Sequence, residues 1–185
     1  MNDAVQKYIL KSERNLGIAA AVGEAWPQAR RALLLGFIDR LDSRLKKKLK
    51  GWHSWHDAGD FFLKSYPGYD IWKPAWEDQY SIRLECNYYG TRMVLGLARE
   101  LNNLGKRPHC ADLFEVFKRE HSAAISHKWW EARITLQSPA PDWRKPEVLW
   151  QMHKDKKFLE DVAQQCLDMA KLCEPVVDRY VRKRR

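Results

Sequence analysis

Leu34, Phe37, Ile38, Leu41, Leu45 and Leu49 recur at spacings of three and four, which is one apolar stripe at the period of an α-helix. An extended strand cannot bring these side chains to one face. The segment is therefore a helix that must bury one side against a core. Pro27 suits its first turn, where the missing N–H would have had no partner. Gly51 suits its close, just past the C-cap. Lys46, Lys47, Lys48 and Lys50 crowd the last turn, where cations complement the helix dipole. At 185 residues the chain is about one domain. A domain of that size buries about 70% of its unfolded surface and needs no staple to hold a core.

Other elements follow from local pattern. Asp3 can cap a first helix running to about Asn15, with Val5 and Ile9 on one side. Trp52 to Tyr80 is punctuated by Pro67, Gly68 and Pro74 and reads as irregular, with a short edge strand over Tyr69 to Trp72. Ile82, Leu84 and Cys86 alternate with Ser81, Arg83 and Glu85, the period of a half-buried strand. A turn over Asn87 to Thr91 returns the chain with Met93, Leu95 and Leu97 on the core face. Ala111 to about Ala124 is a helix with Leu113, Phe114 and Phe117 inward. Lys128 to Leu136 is a strand whose core face holds Trp130, Ala132, Ile134 and Leu136. A final helix begins near Asp155, its stripe traced by Phe158, Val162, Cys166, Met169, Cys173, Val177 and Tyr180. Pro175 inside it predicts a kink. The predicted fold is α+β, with a small antiparallel sheet of three to four strands, four to five helices and a long kinked C-terminal helix. It forms a single domain over residues 1–181, with a basic tail at 182–185.

Charge is concentrated. The net charge is +9, yet residues 26–50 hold eight basic and two acidic side chains, and residues 171–185 hold six and two. The rest of the chain is close to neutral. Four cysteines form no C-x-x-C pair, and Cys166 and Cys173 share one helical face as small apolar residues. No leader-like apolar segment follows Met1, and no run approaches the roughly 20 apolar residues of a membrane span. These features predict a cytoplasmic protein with no membrane contact.

Four constellations carry possible chemistry. His53 and His56 beside Asp57 would begin a zinc site if they shared a helical turn, with His109 and Cys110 as further ligands. Their spacing fits no standard zinc pattern, and a solvated loop explains them better. Adjacent His109 and Cys110 are poorly placed for a thiolate–imidazole pair. Glu85 and Glu131 would form a carboxylate pair only if their strands were neighbours, and pairing with arginines on the sheet is the simpler expectation. No glycine-rich phosphate loop is present, and no cofactor or metal is expected. The remaining feature is the basic surface. Arg40, Arg44, Lys46, Lys47, Lys48 and Lys50, with Arg182, Lys183 and Arg184 of the tail, are candidate nucleic-acid contacts, since lysine and arginine supply affinity for phosphates through counterion release. Exposed tryptophans would add stacking on unpaired bases, with Trp52, Trp55, Trp129 and Trp143 the ones to locate. Trp52, Trp55, Trp72 and Trp76 are the candidate anchors for a protein partner, because aromatic side chains dominate interfaces.

The stretches Ala29–Leu49, Tyr80–Gly96, Lys128–Ile134 and Phe158–Leu172 together resemble the C-terminal accessory region of bacterial and phage PD-(D/E)XK nuclease-superfamily proteins. In that region paired helices, a twisted hairpin, a tryptophan-bearing strand and a closing helix follow a nuclease core. The catalytic motif of that family is absent here. Glu85 is followed by Cys86 and Asn87, and Glu131 by Ala132 and Arg133, where the motif requires a lysine two residues on. The resemblance therefore carries over no catalytic residue. It implies a freestanding accessory module of a phage or mobile element, connected with bacterial defence or its evasion. Three functions are expected in turn: a non-catalytic module contacting nucleic acid or a nucleic-acid-handling complex, a protein-binding inhibitor or adaptor with an aromatic surface, and a degenerate nuclease.

Overall fold

The computed structural model describes residues 3–57, 66–76, 79–86, 92–99, 111–136 and 142–182. Five helices are present among them: α1 (Asp3–Ile9), α2 (Glu13–Lys48), α3 (Ala111–Glu120), α4 (Pro146–Lys154) and α5 (Lys156–Arg182). Six strands, β1 (His53–His56), β2 (Gly68–Trp72), β3 (Tyr80–Cys86), β4 (Met93–Arg99), β5 (Ile125–His127) and β6 (Trp130–Thr135), form one sheet in the order β1-β2-β3-β4-β6-β5. Every neighbouring pair is antiparallel. The α+β class follows, but the sheet has six strands where three to four were expected. The added edge strands are β1, whose sequence HSWH has no apolar alternation, and β5, three residues that are all exposed.

The β3–β4 hairpin forms as expected, and its register sets Ile82 opposite Leu97, Leu84 opposite Leu95 and Cys86 opposite Met93. These side chains are buried, as are Tyr69 and Ile71 of β2 and Ala132 of β6. Helices close over this face. α5 lies across β3 and β4, and α3 packs over β6. The α2 stripe from Leu34 to Leu45 meets α5, where Phe37 and Phe158 stack edge to face with ring centres 5.6 Å apart. Cys86, Cys166 and Cys173 are buried free thiols. Burial pushes the Cys166 thiol up to about 12, which leaves it an inert core residue.

Two expectations about helix boundaries are corrected. The first helix does not run to Asn15, because Ser12 caps a new one there, its side chain accepting from the Asn15 N–H at 3.2 Å. α2 then passes through Pro27 rather than beginning at it. The proline ring collides with the carbonyl four residues back, and that residue is Gly23, whose backbone yields more readily than any other. The expected long C-terminal helix is present as one continuous element of 27 residues that contains Pro175.

A third correction concerns β6. The register slips between Leu97 and Ala98, so that Ala132 lies opposite Leu97 while Trp130 lies opposite Ala98. Glu131 is the extra residue of this bulge. Trp130 therefore leaves the core face and packs with Val94 and Ala98 on the second face of the sheet.

Candidate nucleic-acid interface

The two basic segments, far apart in sequence, are connected by a run of side-chain contacts. Helix α2 ends at Lys48, Gly51 takes a left-handed conformation with φ 81°, and the chain turns into β1. Within that turn Trp52 stacks edge to face on Trp76, ring centres 5.0 Å apart. The Trp76 indole Nε1 donates to Asp178 Oδ1 at 2.7 Å. Asp178 also accepts from Lys73 Nζ at 2.6 Å and lies 3.8 Å from the Arg182 guanidinium. A run of contacts thus leads from the α2 lysines through Trp52 and Trp76 to the basic end of α5. Burial opposes ionisation of Asp178, but the bonds from Lys73 and Trp76 outweigh it and hold the carboxyl below the usual range.

The candidate cations separate into two kinds. Arg40 Nη2 donates to the Met152 carbonyl at 2.5 Å and ties α2 to α4. Arg44 donates twice to Glu160, at 2.7 and 3.0 Å, and ties α2 to α5. Lys46 pairs with Asp42 at 2.7 Å. Burial works against ionising Asp42, but bonds from Lys46, Ser54 and Tyr69 hold its carboxyl below the usual range. Lys47, Lys48 and Lys50 are exposed and have no partner among the described residues. The Arg182 side chain is also exposed. Lys183 and Arg184 lie outside the described residues, as do His109 and Cys110.

The tryptophans divide in the same way. Trp76 and Trp143 are fully buried, and Trp52 and Trp72 are half-buried. Trp55 of β1 is 52% exposed, on the side of the sheet away from the helices, close in sequence to the α2 lysines. His53, on the same side, meets Trp72 edge to face at 5.8 Å. Trp129 is 39% exposed with Lys128 Nζ 5.0 Å from its ring centre, at the opposite edge of the sheet.

The histidine and carboxylate constellations come apart. His53 and His56 lie on a strand, where a separation of three puts them on opposite faces, not on a helical turn. Among the described residues no three His, Cys, Asp or Glu side chains gather as a metal site would require. β4 separates Glu85 from Glu131, and Glu131 pairs with Arg99 at 2.9 Å.

The second face of the sheet carries a buried charge cluster larger than the pairing of Glu85 with a sheet arginine that the sequence suggests. The Arg83 guanidinium meets Asp70, with Asp57 at 3.4 Å and Glu85 at 3.6 Å, and donates to the Tyr66 carbonyl at 2.9 Å. Ser81 donates to Asp70 at 2.7 Å, and the Gly68 N–H donates to Asp57 at 3.0 Å. A Cβ at Gly68 would sit 2.6 Å from the guanidinium carbon, so a larger residue there would push this arginine out of its present position. Alternation marks Asp70, Arg83 and Glu85 as polar and non-core. Their burial depends on contacts across strands, which no local pattern records.

Burial pushes the Glu85 carboxyl up, and the attraction of Arg83 and Arg133 does not fully offset it. A carboxyl raised in the folded state contributes stability at low pH that is lost as pH rises through its folded pKa. Glu85→Gln should therefore flatten the stability profile above the ordinary glutamate range, and be neutral or stabilising at pH 7. Urea unfolding at several pH values checks this. A Gln variant with the wild-type slope across that range would refute the assignment.

No helix of the described residues is long and apolar enough to cross a membrane. No family model, curated protein or solved structure matches this chain.

Proposed function

We propose that this chain is a non-catalytic binding module that holds nucleic acid through its two connected basic segments, with Lys47, Lys48 and Lys50 on one and Arg182 on the other, and with Trp55 following the lysines in sequence. The observation that carries the reading is the Trp52–Trp76–Asp178 connection, which joins the two basic segments. Three unpaired lysines in four positions supply a phosphate-binding edge, and an exposed indole nearby supplies a stacking surface. Arg40 and Arg44 serve the fold, so they support the helix that presents the lysines. Conflict between phage and bacterium is the setting that the resemblance to accessory regions of PD-(D/E)XK proteins would imply for this contact.

Binding to labelled single- and double-stranded DNA and RNA, each at two salt concentrations, tests the proposal. Wild-type affinity should fall steeply with salt. Lys47, Lys48 and Lys50 replaced together by Ala should lower the logarithmic salt slope by about three, roughly one for each phosphate contact. Trp55→Ala should cost about 1–3 kcal/mol on single strands and little on duplex. Absence of binding at low salt, or a triple variant that binds like the wild type, would discard the reading in favour of a protein partner.

A further inference from the structure

The N-terminal part of α2 departs from what a solvated helix looks like. Every residue from Glu13 to Ala25 is exposed or half-buried, whereas packing against the core begins at Trp26 and full burial at Leu34. Yet Asn15 to Gly23 carries no charge at all, and reads Leu, Gly, Ile, Ala, Ala, Ala, Val, Gly after its first residue. Ile18, Ala21, Val22, Ala25 and Ala29 recur at three and four and are all exposed, with Ile18 at 49% and Val22 at 59%. They form a second apolar stripe, turned away from the one that α2 buries in the core. Gly17 and Gly23 have open space where a Cβ would stand. A helix apolar on two sides is ordinarily covered on both.

The charges bordering this run identify what covers it. Arg14 stands immediately before residue 15, with Glu13 on its outer side, and Glu24 stands immediately after residue 23; neither the Arg14 nor the Glu24 side chain has a partner among the described residues. The order is therefore positive, nine neutral residues, negative. Two copies of this segment laid antiparallel about Ala19 put Arg14 of each opposite Glu24 of the other. The uncharged run then lies along itself. A parallel pair would set arginine against arginine and glutamate against glutamate. Alanine and glycine let two helix axes approach to about 8 Å, the near end of the usual range.

We propose that this face is a self-association surface, occupied by the same segment of a second copy of this chain in an antiparallel pair. The pair interdigitates Ile18 and Val22 with their counterparts, and two Arg14–Glu24 contacts set its direction. The mutual overlap of helix, from residue 13 to about residue 25, is about 20 Å long. That is a small interface, so the dimer is a weak one. The inference does not depend on nucleic-acid binding.

Sedimentation of the full chain from roughly 1 µM to roughly 300 µM, a range suited to a small interface, tests it. The mass should rise with concentration from the 21.9 kDa monomer towards twice that value. Ile18→Glu with Val22→Glu should hold the chain monomeric throughout, with its circular dichroism and melting midpoint unchanged, since both side chains are exposed. Arg14→Glu alone and Glu24→Arg alone should each weaken the dimer about five- to tenfold at low salt, because each sets like charges together twice. The double swap Arg14→Glu with Glu24→Arg should return affinity to near wild type. A wild-type chain monomeric over the whole range would overturn the proposal and leave this face to a different partner. A dimer indifferent to Ile18→Glu with Val22→Glu, or a double swap weaker than either single change, would overturn it as well.

Discussion

Replacing Arg83 with methionine should lower the thermal midpoint by on the order of 10 °C at neutral pH, the shift expected for a loss of about 3–5 kcal/mol in a domain of this size. Methionine keeps the length and apolar stem of the side chain, so the loss isolates the guanidinium. That group faces Asp57, Asp70 and Glu85, whose side chains are 5%, 11% and 9% exposed. Without it, three carboxylates share a poorly hydrated pocket. The variant should recover as pH falls. Carboxyls left unpaired and buried have folded pKa values above their unfolded ones, so they bind protons more readily in the folded state. Stability should therefore climb on going from pH 7 towards pH 5, opposite to ordinary acid unfolding. Arg83→Lys should fall between wild type and methionine, because it keeps the charge and loses the planar fork. Urea unfolding at pH 7 that places the methionine variant within 1 kcal/mol of wild type would mean that the cluster is solvated and the account wrong.

Trp76→Ala should be comparably damaging, at about 3–5 kcal/mol. Trp76 is fully buried, so truncation opens a cavity. It also strips Trp52 of its stacking partner and Asp178 of its indole donor. Trp76→Phe separates these effects. It fills most of the space but removes the N–H, at a cost of about 1–3 kcal/mol. The acid side is informative too. Asp178 has a lowered folded pKa, so the stability it contributes is present above the ordinary aspartate value and is lost as pH falls through the folded one. With phenylalanine at position 76 that acid loss should be smaller, since one of the two bonds that depress the carboxyl is gone. Guanidinium unfolding at pH 7 and in mild acid measures both quantities. A phenylalanine variant as unstable as the alanine one would show that the hydrogen bond, not the packing, holds this end together.

How much of this was legible depends on whether the cause was local. The α2 stripe and the β3–β4 hairpin were, because periodicity in the chain is the same thing as burial on one face. Trp130 was misassigned because a single extra residue at Glu131 reverses which side the alternation points to, and a bulge leaves no mark on composition. β1 was missed because HSWH owes its strand conformation to pairing with β2, not to its own side chains. Arg40 and Arg44 look like surface cations on a helical projection. Their partners, Met152 and Glu160, are more than a hundred residues away, and no local reading anticipates them. The basic segments were visible as charge, but the Trp76 link that joins them needed three dimensions.

Helix α2 also has an energetic asymmetry built into its length. A single helix of 36 residues is about 54 Å long, and all of its fully buried residues lie from Leu34 onward. Starting a helix is the costly step, while extending one already begun is close to neutral for alanine-rich sequence, the crossing of Pro27 being the costly exception in this helix. The docked half is thus a permanent nucleus from which the exposed half propagates, one peptide at a time, towards Ser12. Order in the arm is inherited from the core, so loosening the packing around Phe37 would shorten the arm from its far end without touching a residue in it.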